Sequence, residues 1–388
     1  MLAALTFNTA ENLPIGLLGM VSGSLRVPLS AVGLLVTGYG VAVAVASLPL
    51  AHALRAVPRR HVLTGLFAVL IVSSLLAASA ASYGLLLVAR LLTASAQAVF
   101  WAVMGPVAVG LFAPGVRGRV VGALSVAGSL ALVLGVPAGT WLGRQTGWRI
   151  PVALPAVPGL VCLVTIAVLL PTSRPDEAPA AYGSHPDARR FGAVLAAGAL
   201  SATGAFTGYT YLVTFLGEVG GFSPGTVGGL LAAFGVACLV GVGVTGALLD
   251  RFPQAATGAA VATQAVGMLG LYAAGTRPVA AVVFLMLTGG ALGPVFQTTQ
   301  NAVLRCAPGR TDLAFAANSG AYNAGIAAGA ALGGLVLPAG VRGTFLVGGL
   351  LTAGACGVLL GSAAGRSRRR KAPPSRLPSA GGGRSDGR

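Results

Sequence analysis

The chain has 388 residues, 55% of them hydrophobic and only 9% charged, with a mean hydropathy of +0.85. Soluble domains carry about 25% charged residues, so this composition cannot coat a water-facing surface. The formal charge of +17 does not indicate a nucleic-acid partner, because the basic residues fall in short loops and in a terminal tail.

Charged residues punctuate the chain. The first apolar interval, 1–25, is broken only by Glu11; then come 27–54, 61–89, 91–116, 120–143 and 150–173. After a polar stretch the pattern resumes as 191–217, 219–249, 252–276, 278–304, 313–341 and 343–365. A hydrocarbon core about 30 Å thick needs roughly 20 apolar residues of helix, and every interval is long enough. Backbone groups in lipid must be satisfied within their own segment, so helices are expected. The absence of polar/apolar alternation argues against a barrel. The predicted fold is an all-α membrane protein of twelve transmembrane helices in two six-helix bundles. Residues 1–170 form the first bundle, 171–190 a cytoplasmic linker (PTSRPDEAPAAYGSHPDARR), 191–365 the second bundle, and 366–388 a disordered basic tail. The tail cannot bury enough apolar surface to fold, and its Arg/Lys cluster favours anionic lipid headgroups.

Loop charge sets the orientation. With the N-terminus inside, 19 basic residues face the cytoplasm: Arg55, Arg59, Arg60, Arg117, Arg119, Arg174, Arg189, Arg190, Arg251, Arg305, Arg310 and eight in the tail. Five, Arg26, Arg144, Arg149, Arg277 and Arg342, face outward. Positive charge favours cytoplasmic loops, which predicts a multi-pass protein of the inner (plasma) membrane with both termini cytoplasmic. The first stretch lacks a basic start and reads as helix 1 rather than a cleavable signal peptide. Cys162, Cys238, Cys306 and Cys356 show no paired spacing and read as packing residues, so neither a disulfide framework nor a metal site is expected. No cofactor is implied.

The two bundles look duplicated. At a shift of 195 residues Val32-Gly33 meets Val227-Gly228, Tyr39-Gly40-Val41-Ala42 meets Phe234-Gly235-Val236-Ala237, and Pro58 meets Pro253. At 194, Ala113-Pro114-Gly115 meets Ala307-Pro308-Gly309. Halves related by an axis along the membrane normal are a transporter architecture, with the substrate site between them. The 59 glycines, as in the run Gly229 to Leu249, read first as helix-packing residues.

Two formal charges lie inside predicted spans, Glu11 in helix 1 and Arg90 in helix 4. Buried charges in lipid are costly and are functional candidates by default. At 1.5 Å per residue Glu11 lies about 15 Å deep from one face and Arg90 roughly 9 Å from the other. In a core of about 30 Å their depths then differ by only about 6 Å, so the side chains can meet. Other readings are a structural ion pair, or an arginine reaching outward to the interface. Glu11 is the only carboxylate placed to titrate in mid-membrane, which makes it the candidate carrier of a coupling proton. Asn8, Gln97, Tyr209, Tyr211, Gln264, Gln297, Gln300, Asn301, Asn318 and Asn323 mark a possible cavity. Asn8 shares a helix face with Glu11, whereas Tyr209 and Tyr211, two apart, cannot point the same way. For each of these an interhelical hydrogen bond competes with substrate contact. No metal-ligand cluster, nucleophile–base pair or phosphate loop is evident, and His52, His61 and His185 lie in or beside loops, so an enzyme is not expected.

These residues resemble the drug:proton antiporter branch of the major facilitator superfamily, over essentially all of 1–365. Thr9 to Leu18 (TAENLPIGLL) is similar to that branch's first-helix signature, and Arg90 in LLLVARLLTA to its intramembrane arginine. Gly135 to Thr140 (GVPAGT) resembles the antiporter motif of helix 5. The loop signature Gly-x-x-x-Asp-Arg-x-Gly-Arg-Arg is degraded between helices 2 and 3, where Ala51, Arg55, Ala56 and Pro58 replace its first four named residues. It is better kept at Gly246, Asp250 and Arg251. The resemblance implies export of a small organic molecule, drug-like or a sugar, in exchange for protons. Glu11 and Arg90 would couple protons, and Asn8, Gln97, Tyr209, Tyr211, Gln297 and Asn323 would line the substrate cavity. Gly135, Pro137 and Gly139 would let helix 5 bend and pack against the other half, with Asp250 and Arg251 as gating residues. A facilitator or importer of the same fold, or a non-transporting membrane sensor, are the alternatives.

Overall fold

A computed structural model describes residues 1–54, 57–110, 126–128, 130–170, 172, 186–249, 251–308 and 311–371. Most of the expected linker, Asp250 and the tail beyond Lys371 lie outside these residues.

The described residues form helices and no strand. The first half contains α1 (Leu2–Leu25), α2 (Leu29–Ala53), α3 (Arg59–Ala78) and α4 (Tyr83–Gly110). A π-helical turn (Ala131–Gly135) then runs into α5 (Val136–Thr146), followed by α6 (Arg149–Ala153) and α7 (Ala156–Leu169). The second half contains α8 (Ala188–Tyr209), α9 (Leu212–Glu218), α10 (Pro224–Leu249), α11 (Pro253–Ala274), α12 (Pro278–Cys306), α13 (Thr311–Val336) and α14 (Arg342–Lys371). Local sequence explains many boundaries. Prolines stand just before or at the start of α2, α3, α10, α11 and α12, where a missing N–H costs nothing. Asp187 caps α8 by accepting from the Arg190 amide at 3.0 Å. The last helix continues to Lys371.

Ten helical segments among the described residues are long and apolar enough to cross a membrane. The helices α1 and α11, of 24 and 22 residues, are long enough but not among the ten. The reason is visible in α1, where Asn8, Glu11 and Asn12 lower its apolarity. Half of α1 is buried, and these three polar side chains are half-buried.

The duplication is carried into the structure. The helices α2 and α10 begin 195 residues apart (29 and 224), as do α4 and α12 (83 and 278). The last connections also correspond: Gly147 and Gly340 adopt positive φ of 85° and 113°, which favours glycine, and each lies two residues before an arginine. Arg149 donates to Ala80 O at 3.0 Å, and Arg342 donates to Tyr272 O at 2.5 Å and Ala273 O at 3.1 Å. Arg149 thus satisfies a carbonyl just past α3, and Arg342 two carbonyls at the end of α11. This gives Arg149 and Arg342, two of the five basic residues that loop charge is expected to leave on the disfavoured face, a structural role.

The halves meet along α2 with α13 and along the π turn with α10. At both seams a glycine admits a foreign backbone. A Cβ on Gly40 would lie 2.8 Å from Asn323 O, and one on Gly235 would lie 2.5 Å from Val133 Cα. These two glycines are the ones paired by the 195-residue shift. At the end of the bundle where α1 finishes, one apolar cluster joins the halves. Ile15 and Val36 there pack with Phe206, Tyr209, Tyr211, Phe215 and Ile326, and Leu29 and Leu132 pack against them. At the end where the chain starts, the clusters are separate: Phe7, Phe67 and Phe100 in the first half, Val194, Val303 and Ala314 in the second.

Candidate functional site

The site is built on α1, α2 and α4. Pro14 lies inside α1. It has no N–H to give the carbonyl four residues before it, so Ala10 O is left without its helical donor. Arg90 supplies one: Nη1 donates to Ala10 O at 2.5 Å, and Nη2 to Glu11 O at 2.9 Å. The guanidinium carbon lies 4.3 Å from the ring centroid of Tyr39, within range of a cation–π contact. Gln97 stands two turns along α4 from Arg90 and so shares its face. Its Nε2 donates to Glu11 Oε2 at 2.5 Å while its Oε1 accepts from the Tyr39 hydroxyl at 2.6 Å. Both bonds require the same amide orientation. Glu11, Gln97, Tyr39 and Arg90 therefore close a ring.

The structure brings Glu11 and Arg90 to the same place, as expected. It does not join them charge to charge: the guanidinium holds the α1 backbone and the carboxylate is held by a neutral amide. Arg90 and Gln97 are buried, at 5% and 4% exposure, and Glu11 is half-buried. Tyr39 was singled out in the sequence only through the repeat. The signal that could have found it is a tyrosine where the paired half has phenylalanine.

The other expected residues divide. Asn8 faces Gly128, one turn from Glu11. Tyr209 is not in the polar ring; it stacks on Phe234 at 5.4 Å and meets Phe206 edge-on at 5.5 Å. Tyr211 sits at the break between α8 and α9, fully buried. Its ring lies beside Gly33 of α2 and Gly333 and Gly334 of α13, so it joins the closure between halves. Gln297 faces Gly246, and its Oε1, buried, has no partner among the described residues. Asn323 donates to Ser319 O at 2.9 Å, with its Oδ1 unpartnered among the described residues. Gln264 donates to Ser201 O and Thr352 Oγ1, an interhelical tie. Arg251 is exposed at the turn after α10.

Gly135 and Gly139 face Thr9 and Leu13 of α1, with Gly143 facing Leu17 in the same row, while the π turn and α5 also pack against α10 of the second half. Spaced four apart, the glycines form one side of α5, and that side holds α1 and its carboxylate in place. The backbone of Leu132 and Val133 is what reaches Gly235 in the second half.

The duplicated half lacks this chemistry. At the 195-residue shift Glu11, Tyr39, Arg90 and Gln97 correspond to Phe206, Phe234, Leu285 and Leu292, and all four belong to the apolar cluster of the second half. One prediction arises here. Tyr39→Phe keeps the ring under the guanidinium and deletes the hydroxyl that orients Gln97, which is expected to cost about 1 kcal/mol. Thermal unfolding in detergent measures it; an unchanged midpoint would remove the bond from the account.

A family model described as Major Facilitator Superfamily matches residues 1–254 and again 194–385, two matches whose starts differ by nearly the repeat length. Among solved structures, the human organic anion transporter MFSD10 (TETRAN) is 18% identical, with a TM-score of 0.71, 92% of this chain covered and 97% of that one. The xylose transporter XylE from E. coli, in a partially occluded inward open conformation, is 13% identical with a TM-score of 0.75, covering 93% and 95%. A D-xylose-proton symporter is 15% identical with a TM-score of 0.73, covering 92% and 95%. At these identities the likeness is one of fold.

Proposed function

Because the chain belongs to the major facilitator superfamily, we propose that it is a proton-coupled secondary transporter that exports a small organic molecule, drug-like or a sugar, by alternating access. The observation that carries this reading is the ring around Glu11. A single intramembrane carboxylate, held by one neutral amide and flanked by a cation bound elsewhere, can gain or lose a proton without breaking an ion pair. With Arg90 fixed to the α1 backbone, protonation of Glu11 alters the charge of the site while the helix contacts stay in place.

The remaining assignments follow from this reading. Twelve spans result when α1 and α11 are counted with the ten apolar segments, in bundles 1–170 and 191–365 joined by a cytoplasmic linker. Both termini are cytoplasmic in the inner membrane, with the basic tail on anionic headgroups. The apolar cluster joining the halves then closes the outer side, so the molecule faces inward. Substrate contacts come from Asn8 and Gln97 in the first half and Gln297 and Asn323 in the second, whose buried amide oxygens have no partner among the described residues. Asp250 and Arg251 retain a gating role at the loop after α10.

Solute flux in proteoliposomes tests the proposal, using panels of drug-like compounds and sugars with and without an imposed pH gradient. Proton-driven counterflow of a solute is expected. Flux indifferent to the gradient indicates a facilitator, co-movement of solute and protons an importer, and no flux across the panels a sensor; each outcome overturns the export reading.

A further inference from the structure

Between Glu11 and Asp176 the chain contains no aspartate or glutamate. Glu11 is held by Gln97, so an arginine exposed on the first half finds no free carboxylate of that half to pair with. At the end where α1 finishes, two such arginines share one hollow. Gly19, Gly23 and Ser24 of α1 line it, together with Arg144, Thr146 and Arg149 from the end of α5 and the start of α6.

The two arginines are not equivalent. Arg149 gives Nη2 to Ala80 O at 3.0 Å and Nη1 to Ser24 Oγ at 3.4 Å, with its guanidinium 4.6 Å from the Trp148 ring. That uses two of its five N–H donors, and the residue is exposed. Arg144 is exposed and makes no hydrogen bond or ion pair among the described residues. Unlike Arg149 and Arg342, it ties down no carbonyl.

The surroundings identify what the hollow meets. Trp141, three residues before Arg144 and on the same side of α5, is 62% exposed. Leu134 before it, and Ile150, Leu154 and Val157 after Arg149, are exposed as well. Acyl chains cover such surface in a membrane protein, and tryptophan marks the depth of the headgroups. Arg144 lies about one turn nearer the helix end, at the level of lipid phosphate. A guanidinium binds phosphate through paired N–H donors. Without a carboxylate, the hollow offers nothing to the cationic group of an ethanolamine or choline headgroup. Ser24 and Thr146 offer hydroxyls to a glycerol one.

We propose that this hollow holds one anionic glycerophospholipid of the phosphatidylglycerol type. Its phosphate lies on Arg144 and Arg149, and its acyl chains run along the exposed apolar surfaces of α5 and α7. The site is separate from the ring around Glu11 and independent of which solute is carried.

The full chain in nanodiscs of phosphatidylcholine carries the test. Two of the three tryptophans, Trp141 and Trp148, lie at or beside the hollow, so their fluorescence reports on bound lipid. Phosphatidylglycerol brominated at shallow acyl positions is expected to quench more strongly than brominated phosphatidylcholine at the same low fraction. Arg144→Gln is expected to reduce this preference roughly fivefold. Arg26→Gln, which removes an exposed arginine outside the hollow, is expected to leave it unchanged. Equal quenching by the two lipids in the wild type overturns the site. So does a preference that survives Arg144→Gln, or one matched by brominated phosphatidylethanolamine. None of these readings requires transport, so failure of the export proposal leaves the lipid result readable.

Discussion

Glu11→Gln is expected to abolish transport driven by a pH gradient while leaving the protein folded. The substitution preserves shape, and an amide can still bond to Gln97, so the ring around Arg90 and Tyr39 persists. What is lost is the ability to gain and release a proton. No other carboxylate takes over: of the eight acidic residues, Asp176, Glu177, Asp187, Glu218, Asp250, Asp312 and Asp386 all fall outside the interiors of the uncharged intervals, and the second half carries Phe206 at the corresponding position. Counterflow in proteoliposomes should lose its dependence on the gradient entirely, whereas solute exchange at equal pH should survive. A Glu11→Gln protein that still accumulates solute against its gradient in response to pH would remove Glu11 from the mechanism.

Alanine at Gly40 or Gly235 is expected to shift the balance between the two facing states. Each glycine admits backbone of the opposite half, and an added Cβ meets Asn323 O or the Leu132 and Val133 main chain at 2.5–2.8 Å. Backbone cannot turn aside as a side-chain end can, so the seam must open. Overpacking of this kind costs roughly 1–3 kcal/mol, and such a difference changes the ratio of two states by roughly 5- to 150-fold. Turnover should fall accordingly. Cysteines introduced near Ser30 and Gly334, which approach one another across the seam, should become more reactive to impermeant thiol reagents from the outer face. Gly65 and Gly84, where a Cβ meets nothing within 4 Å, serve as controls and should tolerate alanine. Unchanged reactivity in Gly235→Ala would show that the close approach does not hold the outer side shut.

The membrane character of the chain, the helical intervals, the duplicated halves and the two intramembrane charges were all legible in the sequence. Each rests on a one-dimensional property: a lipid-spanning helix must be apolar over its own length, a duplication preserves spacing, and a charge in such a span stands out against its neighbours. Pro14 could likewise be read as freeing a carbonyl. The tertiary structure alone decided what satisfied that carbonyl. It turned the Arg90 guanidinium onto the α1 backbone, gave the Glu11 carboxylate to the Gln97 amide and placed Tyr39 against the guanidinium. It also turned Gly135 and Gly139 toward Thr9 and Leu13 of α1. These outcomes depend on helix rotation and on which side chains meet across helices many residues apart. Spacing along the chain fixes which residues share a helix face; only packing determines what that face meets.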